Sequence, residues 1–351
     1  MSYSAPHVRN AWYVASWEQD LEPATPFAIT ILGEPVVLYR SESGRLVALE
    51  DRCVHRLAPL SLGRCEGDRL RCMYHGLLFE PDGKVAEIPG QDLVPAKARV
   101  KSYPVTEKHS WIWVWMGDPE RADEALIPPA IGFDDPDYIL GRGQLDYEAC
   151  AELIHDNLCD FSHLSYVHAN SFGATEDWAR TRPRVTPLER GVRFERWVPS
   201  QGGLRSRKGV TVDAWSSYDY LVPGILLMRG ASYPEGTAKK LGMGAPPDLE
   251  GAVGVTFTSQ AVTAMTEKTA RYFFSWGPHR DHGDEELRDT LMGVAAMAFA
   301  EDKTMIEAQQ RVISATPEPR VMPTSADKGV TLYQRLVEKL AREEARKAEA
   351  A

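Results

Sequence analysis

Residues 53–76, CVHRLAPLSLGRCEGDRLRCMYHG, hold three of the chain's five cysteines and two of its nine histidines. Two pairs stand out: Cys53-x-His55 and, after 16 intervening residues, Cys72-x-x-His75. Thiolates and neutral imidazoles are both metal ligands. A four-ligand zinc site fits the count, but zinc fingers group Cys with Cys and His with His, whereas each segment here carries one of each. A two-iron, two-sulfide cluster fits the mixed pairing: both thiolates share one iron, both imidazoles share the other, and two loops clamp it from opposite sides. The bland alternative is buried thiols and hydrogen-bonded histidines, which the local density of ligands disfavours. Cys65 lies outside both pairs and reads as a small, buried or partly exposed side chain. The flanking RLAPLSLG and GLLF are small or apolar, suited to shielding a cluster from water.

A second set of chemically competent residues lies in LIHDNLCDFSHLSYVH (153–168). On a helix, Asn157, Asp160 and His163 fall at i, i+3 and i+6 and share a face. His168 follows His163 by five positions, about 140° around an ideal helix, so the two converge only if the helix breaks or distorts between them. Two imidazoles and one carboxylate on one face of an iron are the ligand set of non-haem Fe(II) oxygenases. This segment supplies the histidines; the carboxylate must come from elsewhere. His155 reads as a surface or packing residue, and Cys150 and Cys159 as small core residues.

The elements that must position these groups are legible in outline. The chain has 351 residues, 43% hydrophobic and 26% charged, enough for about two domains with large cores. Its net charge of −10 argues against a nucleic-acid partner, which needs clustered Lys and Arg. The first residues show no basic segment followed by an apolar run, and the longest apolar stretch, LMGVAAMAFA at 291–300, is far below the roughly 18 residues of a membrane span. The expectation is a cytoplasmic protein with reduced thiols. Short β-branched and apolar runs fill 27–53, 84–88 and 99–105, and Trp alternates at 111, 113 and 115, the period of a strand. Residues 117–137, rich in Pro, Asp and Gly, read as a linker between domains spanning 1–120 and 121–351. A helix is expected near 147–165, strands over 185–278, a helix from 284, and a charged terminal helix in LYQRLVEKLAREEARKAEAA.

The first motif resembles the Rieske [2Fe–2S] family, whose pattern is C-x-H, a spacer of this length, then C-x-x-H. The second is similar to the N-x-x-D-x-x-H-x-x-x-x-H of Rieske non-haem iron oxygenases, met by Asn157, Asp160, His163 and His168. The resemblance implies an α+β fold: an antiparallel β Rieske domain, then a catalytic domain with an antiparallel sheet flanked by helices, of helix-grip type. It implies a cluster on Cys53, His55, Cys72 and His75, and a mononuclear Fe(II) on His163, His168 and an Asp of a late helix. FAEDKTMIEAQQ (299–310) makes that Asp302 rather than Glu301, which points about 100° away. Asp160 would link His163 to His75 of a neighbouring subunit.

Length, together with RNAWYVA (9–15), EIPGQ (87–91) and SYPVTEKHSWIWVWMGDP (102–119), resembles the subgroup of vanillate O-demethylase, toluenesulfonate methyl-monooxygenase and dicamba O-demethylase oxygenases. This implies a homotrimeric terminal oxygenase that hydroxylates a methyl or methoxy carbon of an anionic aromatic compound, with O-demethylation of a vanillate-like methoxybenzoate favoured. The alternatives are methyl hydroxylation of an aromatic sulfonate and ring dihydroxylation of an aromatic acid. Electrons would come from NAD(P)H through a flavin and iron–sulfur reductase or a ferredoxin. An electron carrier would need the first motif alone, and a zinc module leaves 157–168 unexplained. No substrate motif is visible in VDAWSSYDYLVPGILLMRGAS (212–232); an arginine, histidine or amide is expected to meet the substrate's anionic group.

Overall fold

The computed structural model describes residues 6–172, 174–202 and 211–349. The first five residues and the last two of the terminal helix expected from the sequence lie outside these. The chain divides into two compact units, a smaller one of Arg9–Ile127 with Thr263–Glu267, and a larger one of Met1–Val8, Pro128–Val262 and Lys268–Ala351.

The smaller unit is β-rich. Its strands are β1 (Trp12–Trp17), β2 (Phe27–Ile31), β3 (Glu34–Arg40), β4 (Leu46–Glu50), β5 (Arg64–Glu66), β6 (Arg69–Arg71), β7 (Leu78–Phe79), β8 (Val85–Glu87), β9 (Ser102–Tyr103), β10 (Val105–Lys108) and β11 (Trp111–Trp115). They form three antiparallel sheets, ordered β1-β11-β10, β2-β3-β4-β9 and β5-β6-β7-β8. Both faces of β11 are buried: the alternating tryptophans fill one, and Ile112 and Val114 the other. A core of Val37, Tyr39, Leu49, Leu60, Leu70, Phe79 and Val100 also takes in Cys53 and Cys72. The Pro- and Asp-rich stretch after β11 makes two short 3₁₀ turns, capped where Asp118 and Asp123 accept the N–H groups of Glu120 and Ala125.

The larger unit is built on a seven-stranded antiparallel sheet of β12 (Gly141–Tyr147), β13 (Arg184–Leu188), β14 (Gly191–Gln201), β15 (Val212–Leu221), β16 (Ile225–Pro234), β17 (Gly254–Thr266) and β18 (Thr269–Pro278), ordered β12-β18-β17-β16-β15-β14-β13. Its helices are α1 (Ala151–Cys159), α2 (Leu164–Val167), α3 (Asp177–Arg180), α4 (Thr237–Lys240), α5 (Glu285–Ala315) and α6 (Lys328–Glu349). Helix α5 packs on β18 and β12, and α6 on β14 and α1. Gly141 permits the close approach of α5, because a Cβ there would lie 2.5 Å from Met292 Cγ. No helix among the described residues is long and apolar enough to cross a membrane.

One local expectation changes. The helix placed near 147–165 starts at Ala151 and stops at Cys159, and Asp160 adopts an extended conformation (φ −137°, ψ 98°). Its carboxylate accepts the Ser162 N–H (2.8 Å) and caps a 3₁₀ turn, Phe161–His163, that leads into α2. Asp competes poorly within a helix and well at its N-cap, so the break falls there.

Candidate functional site

The two cysteine loops of the smaller unit are built alike. Cys53 N–H donates to the Ala58 carbonyl (2.8 Å) and Leu57 N–H to the Cys53 carbonyl (2.9 Å). Cys72 N–H donates to the Leu77 carbonyl (2.9 Å) and Gly76 N–H to the Cys72 carbonyl (3.0 Å). The fourth residue after each cysteine takes positive φ: Gly76 at 77°, where glycine is at ease, and Leu57 at 58°, where it is not. Asp51 anchors the first loop by accepting the Ser61 N–H and hydroxyl, both at 2.6 Å. Arg71 anchors the second, donating to the Gly76 carbonyl (2.7 Å) while paired with Glu66.

The result has unlike ends. Cys53 and Cys72 are buried and adjacent; burial raises the Cys53 thiol above its ordinary value, and Cys72 adds to the effect. His55 and His75 are exposed, their ring centroids 4.5 Å apart. Two thiols meeting in a core and two imidazoles meeting at its surface match a [2Fe–2S] cluster with a thiolate iron and an imidazole iron. Cys65 sits on β5 opposite Leu70 and packs on the flank of the core.

In the larger unit, the 3₁₀ turn that ends at His163 and the short α2 that follows it bring His163 and His168 together, with ring centroids 5.2 Å apart. Asp302 joins them from α5. That helix buries Leu291, Ala295, Ala298, Asp302, Ile306 and Gln310 along one stripe. Gln310 holds it in place by accepting the Cys150 N–H (2.9 Å) at the start of α1, and Glu307 does the same for the Glu148 N–H (3.0 Å). One ligand atom from each of His163, His168 and Asp302 lies within 4.8 Å of the others.

The hydrogen bonds decide which ring nitrogens face inward. His163 Nδ1–H donates to the Asp160 backbone carbonyl (2.6 Å), leaving Nε2 3.6 Å from Asp302 Oδ1. His168 Nδ1–H donates to Glu301 Oε2 (2.9 Å), leaving Nε2 3.2 Å from Asp302 Oδ2. Asn157 Nδ2 donates to Asp302 Oδ1 (3.0 Å) and lies 3.4 Å from His163 Nε2. Burial lowers the His163 pKa; at His168 burial works the same way, but the Asp302 and Glu301 carboxylates outweigh it and raise the value. Two inward Nε2 atoms and a carboxylate, with room left on one side, suit a ferrous ion with open positions. Asp160 thus meets His163 through its backbone oxygen, while its carboxylate serves the Ser162 cap.

These residues also line a cavity of about 230 Å³. Its aromatic walls are Phe161, Phe172, Trp178, Trp215, Trp276 and Phe299. Small residues on adjacent strands, Ala214, Gly230 and Ala231, make space beside them, and Ser216, Ser232, Thr258, Gln201 and Gln260 contribute neutral hydroxyls and amides. Of the groups expected to meet an anionic substrate, the described lining supplies amides, besides the metal-site histidines. His155 is a packing residue, hydrogen-bonded to Tyr220 Oη (2.5 Å), and Cys150 and Cys159 are buried at the two ends of α1.

Sequence reasoning missed Glu301 as a partner of His168, Ser171 behind it, and the pocket wall. Asp302 did leave a signal, the one charge in a helical stripe otherwise made of apolar residues and Gln310.

Comparison with known proteins agrees with this geometry. A model of the Rieske [2Fe–2S] domain matches residues 11–104, and a model of the vanillate O-demethylase oxygenase C-terminal domain matches residues 147–343. The iron–sulfur subunit of the toluene-4-sulfonate monooxygenase system of Comamonas testosteroni is 39% identical, over 96% of this chain and 98% of that one. A vanillate O-demethylase oxygenase subunit from a Pseudomonas strain is 34% identical, over 98% and 97%. A crystal structure of dicamba monooxygenase bound to dicamba superposes with a TM-score of 0.85 at 32% identity, covering 97% of this chain and 100% of that one. Another, with non-heme iron and dicamba, gives 0.78 at 30% identity, covering 98% and 100%. The cysteine–histidine loops therefore lie in a Rieske [2Fe–2S] domain, His163, His168 and Asp302 form a candidate mononuclear iron site, and the chain belongs to the Rieske non-haem iron oxygenases, among the oxygenase components of the vanillate, toluenesulfonate and dicamba monooxygenases.

Proposed function

We propose that this oxygenase component hydroxylates a methyl or methoxy carbon of an anionic aromatic compound, with O-demethylation of a vanillate-like methoxybenzoate as the leading reaction. The observation that carries the reading is an aromatic-walled cavity that ends on His163, His168 and Asp302. A flat ring fits between the aromatic walls, and the small residues of β15 and β16 leave it room. For a methoxy substrate, O₂, two electrons and two protons convert Ar–O–CH₃ to Ar–O–CH₂–OH and water; the hemiacetal then releases the phenol and formaldehyde. Methyl hydroxylation of an aromatic sulfonate is the second reading, favoured by the 39% identity to the toluenesulfonate relative.

When bound, the iron supplies O₂ activation and the cluster supplies stored electrons. His163 and His168 would hold the iron through Nε2 and Asp302 through its carboxylate. Asn157, donating to Asp302 Oδ1, keeps that carboxylate turned toward the histidines. The aromatic wall excludes water from the reacting carbon. Cys53, His55, Cys72 and His75 would hold the cluster within residues 1–120, and residues 121–351 would carry the iron and the substrate.

A homotrimer would let Asp160 receive the His75 of a neighbouring copy. Two observations support this: His55 and His75 are exposed, and so are the apolar Val54, Leu57, Leu62, Met73 and Tyr74 on the same loops. The electron donor would be an NAD(P)H-dependent flavin and iron–sulfur reductase or a ferredoxin, which places the reaction in the cytoplasm within the breakdown of aromatic compounds.

The test is a substrate panel with a surrogate reductase. Methoxybenzoates are expected to release formaldehyde in step with NAD(P)H oxidation. Conversion of methylated sulfonates to alcohols, with no formaldehyde from any methoxybenzoate, would move the assignment to the second reading.

A further inference from the structure

We propose that Glu301 is a positioning residue for the iron site, clamping His168 from behind. The inference rests on the iron-site reading above. The two carboxylates of Glu301 and Asp302 are adjacent on α5, yet they address opposite edges of one ring: Glu301 Oε2 accepts from His168 Nδ1 at 2.9 Å, and Asp302 Oδ2 lies 3.2 Å from Nε2. The sequence spacing explains how. Neighbouring residues on a helix diverge by about 100°, and a ring inserted against that turn can touch both.

Glu301 is itself fixed. Ser171 donates its hydroxyl to the same Oε2 at 2.6 Å, from the turn that follows α2. Phe172 N–H donates to the His168 carbonyl (3.2 Å), so Ser171 and His168 share one closed turn. The His168 ring is 1% exposed and also packs edge-on against Phe172. A carboxylate accepts and cannot donate when ionised, so the proton stays on Nδ1 and the lone pair of Nε2 points at the metal position.

His163 has the weaker support of a neutral backbone carbonyl. The two imidazoles are therefore unequal. His168, backed by a charge, is the stronger and less mobile donor, and His163 is the ligand freer to shift. A carboxylate behind a metal-bound histidine typically accounts for roughly 10–100-fold in metal affinity.

The experiment uses full-length protein with its cluster intact, from which mononuclear iron is removed by a mild chelator and Co(II) is titrated in. Wild type, E301A, E301Q, S171A and D302A are compared by Co(II) affinity and by the ligand-field bands of the bound ion. Glu301→Ala is expected to weaken Co(II) binding roughly 10–100-fold and to shift the bands, with the cluster spectrum unchanged. Glu301→Gln keeps an acceptor oxygen and is expected to fall between wild type and E301A; it also serves if E301A does not fold. Ser171→Ala should cause a smaller loss in the same direction. Binding by both Glu301 variants within about threefold of wild type, while D302A loses the metal, would overturn the clamp and leave the iron site standing. Undiminished binding by D302A as well would overturn the iron-site reading itself.

Discussion

Asp156 offers a sharp quantitative test of how the site-bearing helix is held. It lies on α1, one residue before Asn157, and its Oδ1 accepts the Gln334 amide of α6 (2.8 Å). Burial pushes its carboxyl up to about 7 from an ordinary 3.8; the Gln334 hydrogen bond opposes this, and the charges of Glu152 and Asp327 add to it. The folded pKa is raised, so stability is full below pH 3.8 and falls as pH rises through 7. At about 1.36 kcal/mol per pH unit, ionising this group costs the folded state at most about 4 kcal/mol by pH 8, against at most about 1.6 kcal/mol at pH 5. Asp156→Asn keeps the acceptor for Gln334 and removes the ionisation. In a unit of this size each kcal/mol moves Tm by roughly 2–4 °C. Calorimetry is therefore expected to show D156N melting above wild type by several degrees more at pH 8 than at pH 5. Neighbouring His155 is pulled down to about 3 by burial and contributes equally to both proteins, so the difference isolates Asp156. A Tm difference independent of pH, or one that shrinks toward pH 8, would refute the reasoning.

Leu57→Gly should stabilise the cluster-bearing unit of the dissociated chain by about 1 kcal/mol, because Leu57 holds φ 58° and is 68% exposed in the single chain; bleaching of the cluster on heating at dilution should move to higher temperature. Asp302→Ala should lower bound iron from roughly three to roughly two per chain, with the reduced-cluster EPR signal unchanged. Gly230→Phe should fill the pocket and cut product formation by roughly 100-fold or more at unchanged iron content. Asp160→Asn should slow turnover roughly 10–100-fold with both metal centres loaded, as measured by single-turnover decay of the reduced cluster.

The cluster motif was legible because its ligands are local. Each Cys–His pair sits in one short loop; the mixed pairing spoke against a zinc finger, and the family resemblance supplied the cluster reading. The two-histidine segment was legible for the same reason, but the break expected between His163 and His168 falls earlier: α1 stops at Cys159, before His163, and a 3₁₀ turn followed by the short α2 carries the two histidines. Asp302 needed the family resemblance to be singled out, because nothing local ties 302 to 163. Glu301 was set aside for pointing away from Asp302 along its own helix. What it points to is His168, 133 positions earlier, and only the packing of α5 beside α2 reveals that. The pocket was illegible: its lining comes from strands, helices and turns far apart in sequence, up to four residues from a single strand, and no shared pattern marks them.

The most direct test of the central claim is a single turnover under ¹⁸O₂ with pre-reduced oxygenase, no reductase and a methoxybenzoate substrate. The account predicts product within one cycle, with the phenol keeping its original oxygen and the label entering the released one-carbon fragment or water. A ring product carrying two labelled oxygens, or no product from protein with both metal centres loaded, would contradict it.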